Sequence, residues 1–450
     1  MTFVEWLGVP CALLCAVVGT LSASPLAAQD DAIGPPSPFG EQPAPGACLT
    51  LPEALALAQQ RGPEVSAARA NASIAQARLR QERGTAFPQV SAYARAAEGD
   101  SGLVDGRTNT QTGLVLSQRL FDFGQSAARR RALGARSQAA MLETREAALD
   151  LQGDAGLAFL GILELTELVA AAERREERFR TLAEGLPRRL EAGLITIATA
   201  SSIRAEIASA RADRVEREAS LGSARIRFAS LVGDMAEPCS GQMAVGVALI
   251  SPFAAEESVA HAIDTAPGML AADARIDAAR ADVDVARRIQ RPEISVQAVG
   301  AYQYDRLFDR WTTARRVGLD VSMPLFGGGS YGGERDEALA RLAGARAEAD
   351  RERRDLAEQL RASLARADAF AALADAREDE VGALAAEVAA VRRQFDEGLR
   401  PYQEYELAEA ALAGAEAEAI RAQYRALRER LTIAVLTQAI PLSVSEDTER

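Results

Sequence analysis

The chain carries the same text twice, at a nearly constant offset. Pro63 and Pro267 stand 204 residues apart, as do Pro88 and Pro292; Leu120 and Leu325 stand 205 apart, as do Gly193 and Gly398, and Leu231 and Leu436. One inserted residue accounts for the change. Longer stretches match as well: Leu120-Phe121-Asp122-Phe123-Gly124 aligns with Leu325-Phe326-Gly327-Gly328-Gly329, and Ala192-Gly193-Leu194 with Glu397-Gly398-Leu399. Solenoid repeats run to roughly 20–50 residues, so this spacing marks a tandem duplication of a whole structural unit.

Each unit predicts the same order of elements. Residues 52–85 and 256–290 are rich in Ala, Arg and acidic side chains, a composition that favours helix. Each run stops before a proline, Pro88 or Pro292, which cannot continue the hydrogen-bond ladder. Two strand-like segments follow. In the second unit Ile294, Val296, Ala298, Tyr302 and Tyr304 alternate with polar residues, as do Val317, Leu319, Val321 and Met323. The first unit alternates more faintly through Val90, Ala92 and Ala94, then Thr112, Leu114 and Leu116. Period two over about ten residues suits a membrane strand with lipid on one face and water on the other, and equally any half-buried sheet. Polar loops are expected over residues 98–109 and 305–313; Phe308 and Trp311 lie in the second, close to Tyr302 and Tyr304, as in an interfacial aromatic girdle or an ordinary packed loop.

A proline-free run then follows in each unit, over residues 127–186 and 334–395. Some 60 helical residues extend about 90 Å at 1.5 Å per residue. A second helix returns over residues 197–232 and 402–436. The first of these carries a heptad-like seam of Ile203, Ile207, Ala210, Leu221, Ala224, Phe228 and Leu231, interrupted by Arg214 and Arg217. Small seam residues suit antiparallel hairpins packed side by side.

Composition excludes some functions. The net charge is −13, and the chain lacks the clustered basic surface that a nucleic-acid partner requires. All 51 basic residues are arginine. An apolar run over residues 13–20 and small residues from Ser22 to Ala28 predict a signal peptide over residues 1–28, although its start carries Glu5 and no positive charge. That leaves a proline-rich segment over 29–48, a first repeat over 49–240, a linker over 241–257, a second repeat over 258–438 and a tail over 439–450. Cys11 and Cys15 fall within the signal. Cys48 and Cys239 form an even pair in an oxidising compartment, which suits a disulfide or else two separate thiols. No CxxC, HExxH or GxSxG motif occurs, and the single histidine, His261, is expected to be structural on an apolar helix face. Gly327 to Gly333 resembles a phosphate loop but lacks its lysine and aligns with a strand-to-helix turn. No catalytic residue, metal ligand or cofactor is expected.

The order helix, strand, strand, long helix, tip, helix, twice over, resembles the TolC-like outer-membrane efflux proteins across residues 49–438. The resemblance is carried by Leu51-Pro52-Glu53-Ala54-Leu55, by Leu120 to Gly124, and by the tips at Glu191 to Leu194 and Glu397 to Leu399. It implies a mainly α fold with a transmembrane β part: each chain gives four strands to a trimeric 12-stranded barrel, continued by a long α-helical periplasmic tunnel. It further implies a homotrimer in outer-membrane lipid that acts as a passive duct of a tripartite efflux or type I secretion system. The tips, with Gly193, Leu194, Gly398 and Leu399, would meet a periplasmic adaptor protein that is itself bound to an inner-membrane pump. The resemblance assigns the aperture to Glu404 and Glu406, and a tip latch to Arg400 and Phe395, although Thr199 stands where the latch's acidic partner is usual. A periplasmic helical-hairpin adaptor or scaffold without a barrel is the alternative.

Overall fold

The computed structural model describes residues 48–99, 107–193, 195–233, 237–239, 255–305 and 310–439. In the first unit, helices α1 (Leu51–Arg61) and α2 (Pro63–Gly84) lead into strands β1 (Gln89–Gly99) and β2 (Arg107–Phe121). The long α3 (Gln125–Glu184), a single turn-and-a-half α4 (Leu186–Glu191) and α5 (Ile197–Val232) follow. The second unit repeats the order with α6 (Ala255–Thr265), α7 (Pro267–Arg288), β3 (Glu293–Asp305), β4 (Arg310–Ser322), α8 (Ser330–Asp396) and α9 (Tyr402–Leu436).

The expected opening helices are each broken once. Gly62 and Ala266 take extended backbone (φ −64°, ψ 127° and φ −57°, ψ 129°), because the ring of the following proline excludes the helical region for the residue before it. The strands, in contrast, are longer than their apolar alternation. β2 begins at Arg107 and β4 at Arg310, so residues 107–109 and 310–313, expected in loops, are paired, and Trp311 sits within β4 opposite Tyr304. Phe308 lies outside the described residues, as do Leu194, the signal peptide and the C-terminal tail beyond residue 439.

The four strands form one antiparallel sheet in the order β1-β2-β3-β4. The two units meet where β2 pairs with β3, in register from Gln111 opposite Gln303 to Arg119 opposite Ser295. A bulge between Arg119 and Phe121 then inserts Leu120. Bulges of this kind bend a strand at a sheet's rim. Directly after it, Asp122 accepts hydrogen bonds from the backbone amides of Gly124 (3.1 Å) and Ser126 (2.7 Å), which closes the start of α3. Burial pushes the Asp122 carboxyl up, but its bonds to Ser126 and Gly124 and the nearby Arg119 outweigh this and hold it below its ordinary range. Gly124 there has φ 84° and its counterpart Gly329 φ 94°, a region that side chains with a Cβ avoid. The second unit turns on glycine backbone instead of a carboxylate, with the amide of Ser330 bonded to the Gly327 carbonyl. This is the glycine run that resembled a phosphate loop.

Helix α3 is the hub of the helical part, packed against α1, α2, α5, α7 and α9. It is apolar enough to cross a membrane by composition, yet 56% of its most apolar stretch is buried, as a core helix should be. Its Phe159, Leu160 and Ile162 meet Leu55, Phe228 and Leu431 in the main core. The crossing with α9 is close at Gly156, where a Cβ would stand 2.6 Å from a methyl of Leu431. The α5 seam packs as expected through Ile203, Ala210, Leu221 and Phe228. Its two arginines are satisfied: Arg214 donates to Glu176 at 2.8 Å and Arg217 to Asp213 at 2.8 Å. His261 is a correction. It is exposed, because Val259 and Ala262 take the buried face of the short helix α6.

Cys48 and Cys239 are joined in a disulfide that closes 191 residues, beside a two-residue bridge in which Leu49 and Cys239 exchange backbone bonds with Glu237 and Leu49 at 2.8 Å. Cross-links spanning long loops restrict the unfolded chain most, and losing a native one typically costs about 2–5 kcal/mol. Cys239→Ser is therefore expected to unfold at markedly lower guanidinium concentration than the parent under non-reducing conditions. An identical midpoint would show that the bond does not constrain the unfolded chain.

Candidate functional site

Two regions carry the chemistry that the sequence singled out: the tip where the long helices turn, and the sheet. At the tip, Gly193 (φ 68°) and Gly398 (φ 77°) end their helices in left-handed backbone. The Leu399 amide bonds back to the Gln394 carbonyl at 2.8 Å and that of Gly398 to Phe395 at 3.0 Å, so the freed carbonyls of the last turn are partnered. Nothing lies within 4 Å of where either glycine's Cβ would stand, and Leu399 is 71% exposed. The turns are thus bare backbone with an apolar side chain standing free beside the second.

Beneath the turns the two units share one core. Phe179, Leu182, Leu186 and Ile203 from the first meet Val388, Val391, Phe395, Tyr402 and Tyr405 from the second. Phe395 stacks on Tyr405 with ring centres 6.3 Å apart. Arg189 lies 5.0 Å above its ring and donates to Asp396 at 2.6 Å. Arg400, in the turn just before α9, is exposed and pairs with Glu404 in the first turn of that helix. Phe395 and Arg400 therefore sit in different places: one is a core ring, the other a surface guanidinium that offsets the charge of Glu404. Thr199, whose amide bonds to the Thr196 hydroxyl oxygen at 3.1 Å, serves the start of α5. Glu406 is half-buried near Tyr402, whose phenol is pushed up first by burial and then by the charges of Glu406, Glu206 and Glu409.

Glu409 is the tip residue that sequence reading missed. It is fully buried and accepts hydrogen bonds from the Tyr405 hydroxyl and from Nε of Arg178, both at 2.8 Å. Arg178 also approaches Glu416 at 3.6 Å. The partners are 231 residues apart, so no local motif joins them. The available signal was a carboxylate at a seam position of α9, in step with Tyr402, Tyr405 and Leu412. Removing one partner of a buried pair strands the other, at about 3–5 kcal/mol; Arg178 keeps 22% exposure, which favours the low end. Glu409→Ala should speed hydrogen exchange on both sides of the tip core, around Phe179 and around Tyr405. Unchanged exchange there would contradict a structural role for the pair.

The sheet has two unlike faces. Across the ladder, Val90, Leu116, Ala298 and Val317 form one row, and Val296 pairs with Leu319 and Ile294 with Val321 on the same face. Val317 and Leu319 are 77% and 65% exposed, on an apolar face that none of the described residues covers. The other face carries the row Gln89, Ser117, Gln297 and Gly318. At one end of the apolar face Tyr302 stacks flat on Trp311, ring centres 4.8 Å apart. At the other end Phe87, Phe121 and Phe326 stand 68%, 54% and 87% exposed. Two aromatic belts bound an apolar band, the layout of a membrane-facing wall. Sequence reading found only the first belt, although Phe121 and Phe326 occupy the duplicated Leu-Phe step.

Comparison with known proteins agrees with this layout. The family described as outer membrane efflux protein matches the chain twice, at residues 54–234 and 259–437. The outer membrane efflux protein BepC of Brucella suis is 24% identical over 321 residues, which is 67% of this chain and 66%, just under two thirds, of that protein. A membrane protein of Pseudomonas aeruginosa superposes with a TM-score of 0.76 at 18% identity, covering 87% of this chain and 92% of that one. The outer membrane protein VceC of Vibrio cholerae gives 0.73 at 22% identity over 86% and 95%.

Proposed function

The chain belongs to the outer membrane efflux protein family, and from that premise we propose that three copies form one duct across the outer membrane and periplasm, the passive exit of a tripartite export system. The observation that carries this reading is the sheet: an exposed apolar band between aromatic belts, on four strands of 11–15 residues. About ten tilted residues suffice to cross the hydrocarbon core. The sheet hands directly into helices of 60 and 67 residues, about 90 and 100 Å long, which suit a tunnel spanning the periplasm.

The tip is the proposed docking end. Gly193, Gly398 and Leu399, with Leu194 beyond the described residues, supply backbone and apolar surface for a periplasmic adaptor joined to an inner-membrane pump. Glu404 and Glu406 are the proposed aperture acids and Arg400 the residue that restrains Glu404; the buried Phe395 is proposed to hold the tip core under them. The chain divides for this purpose into a secretion signal, two structural repeats and their linker.

Cell fractionation tests the reading against a barrel-free periplasmic scaffold. The protein should band with outer membranes, survive high-salt and alkaline washes, and come off only in detergent. Release into the soluble fraction on osmotic shock would contradict the duct and favour the scaffold.

A further inference from the structure

We infer that Arg95 and Arg316 line the inside of the barrel as rings of positive charge, so that its wall draws anionic groups where the tip presents acids. The inference rests on the duct reading and adds the class of solute that the barrel segment favours: those bearing carboxylate, phosphate or sulfonate groups.

Register carries it. Arg316 stands opposite Val299, in the row that continues through Val115 to Ser91, one step from the Gln297 and Ser117 row of the polar face. Arg95 stands in the row of Gln111, Gln303 and Thr312 on that same face. The neighbouring Arg315 is opposite Gly300, in the row of Leu114, on the apolar face. Side chains alternate sides along a strand, so two consecutive arginines project to opposite sides of the wall.

Their surroundings leave the charge of Arg95 and Arg316 unspent. Both are exposed, and among the described residues neither has an ion-pair partner. The row between them, Tyr93, Gly113, Ala301 and Ala314, is uncharged. Of the acids on this face, Asp305 stands opposite Arg310 at the far end of the ladder, and the others lie towards the helical end: Glu293 is 2.9 Å from Arg119, and Asp320 is four residues from Arg316, about 13 Å along a strand. That is beyond ion-pair reach and beyond the ~8–10 Å screening length of physiological salt. Three copies would set six guanidinium groups around an enclosed lumen, where low-dielectric walls focus the field on passing ions.

The test is conductance of the full-length protein in planar bilayers under a tenfold KCl gradient, for the parent, the double variant Arg95→Gln/Arg316→Gln and the control Arg315→Gln. The double variant should lower the chloride-to-potassium permeability ratio about twofold or more. Inositol hexakisphosphate added at the barrel side should block the parent and Arg315→Gln but not the double variant. A double variant with the parent's permeability ratio and block overturns the inference and leaves the duct standing. Loss of block in Arg315→Gln alone overturns the assignment of faces. Protein that never conducts removes the duct reading and the inference with it.

Discussion

The outer edges of β1 and β4 are rows of backbone amides and carbonyls without ladder partners among the described residues. Everything else about the sheet says that it lies in lipid: the uncovered valines and leucines, the two aromatic belts, the polar reverse face. Hydrocarbon offers no water to satisfy those edges, and each unsatisfied group would cost several kcal/mol. The chain must therefore borrow strands. Further copies, added edge to edge, are the simplest donors, because the twofold-repeated unit already shows how one pair of strands accepts the next where β2 meets β3. Closure also creates the inside and the outside that give the alternating residues their meaning.

The same economy shapes the helices. α3 packs against helices of both units, whereas α8 leaves most of its length exposed, so the two units are not equal in their packing although they are equal in order. At the tip the asymmetry ends, and both units enter one core around Phe179, Phe395 and Tyr405. Arg178 to Glu409 and Arg189 to Asp396 tie the units across more than 200 residues of sequence. Any movement at this end has to carry those ties along or break them, which makes the tip core, and not the exposed Arg400, the stiff part of the tip.

Much of this was legible in the residues because it is periodic. The duplication, the long proline-free helices, the α5 seam and the turn at Asp122 follow from spacing and from what proline, glycine and alanine permit. What could not be read was set by partners. Residues 107–110 (Arg, Thr, Asn, Thr) have no apolar alternation, and they are strand because β1 offers them a ladder. The breaks at Gly62 and Ala266 follow the rule for the residue before proline, once those prolines are seen to fall inside helical runs. Glu409 was hidden because its partner lies in the other unit, and His261 sits on a helix too short for periodicity to assign its face. Of the tip residues, spacing placed the glycines well, whereas Phe395 and Arg400 share a segment without sharing an environment.

Light scattering of the detergent-extracted protein, corrected for bound detergent, tests the central claim of closure by copies most directly. Edge satisfaction by a 12-stranded barrel predicts a protein mass of three mature chains. A monodisperse monomer or dimer of the intact chain would contradict it, because only three copies of four strands supply the twelve that this closure requires.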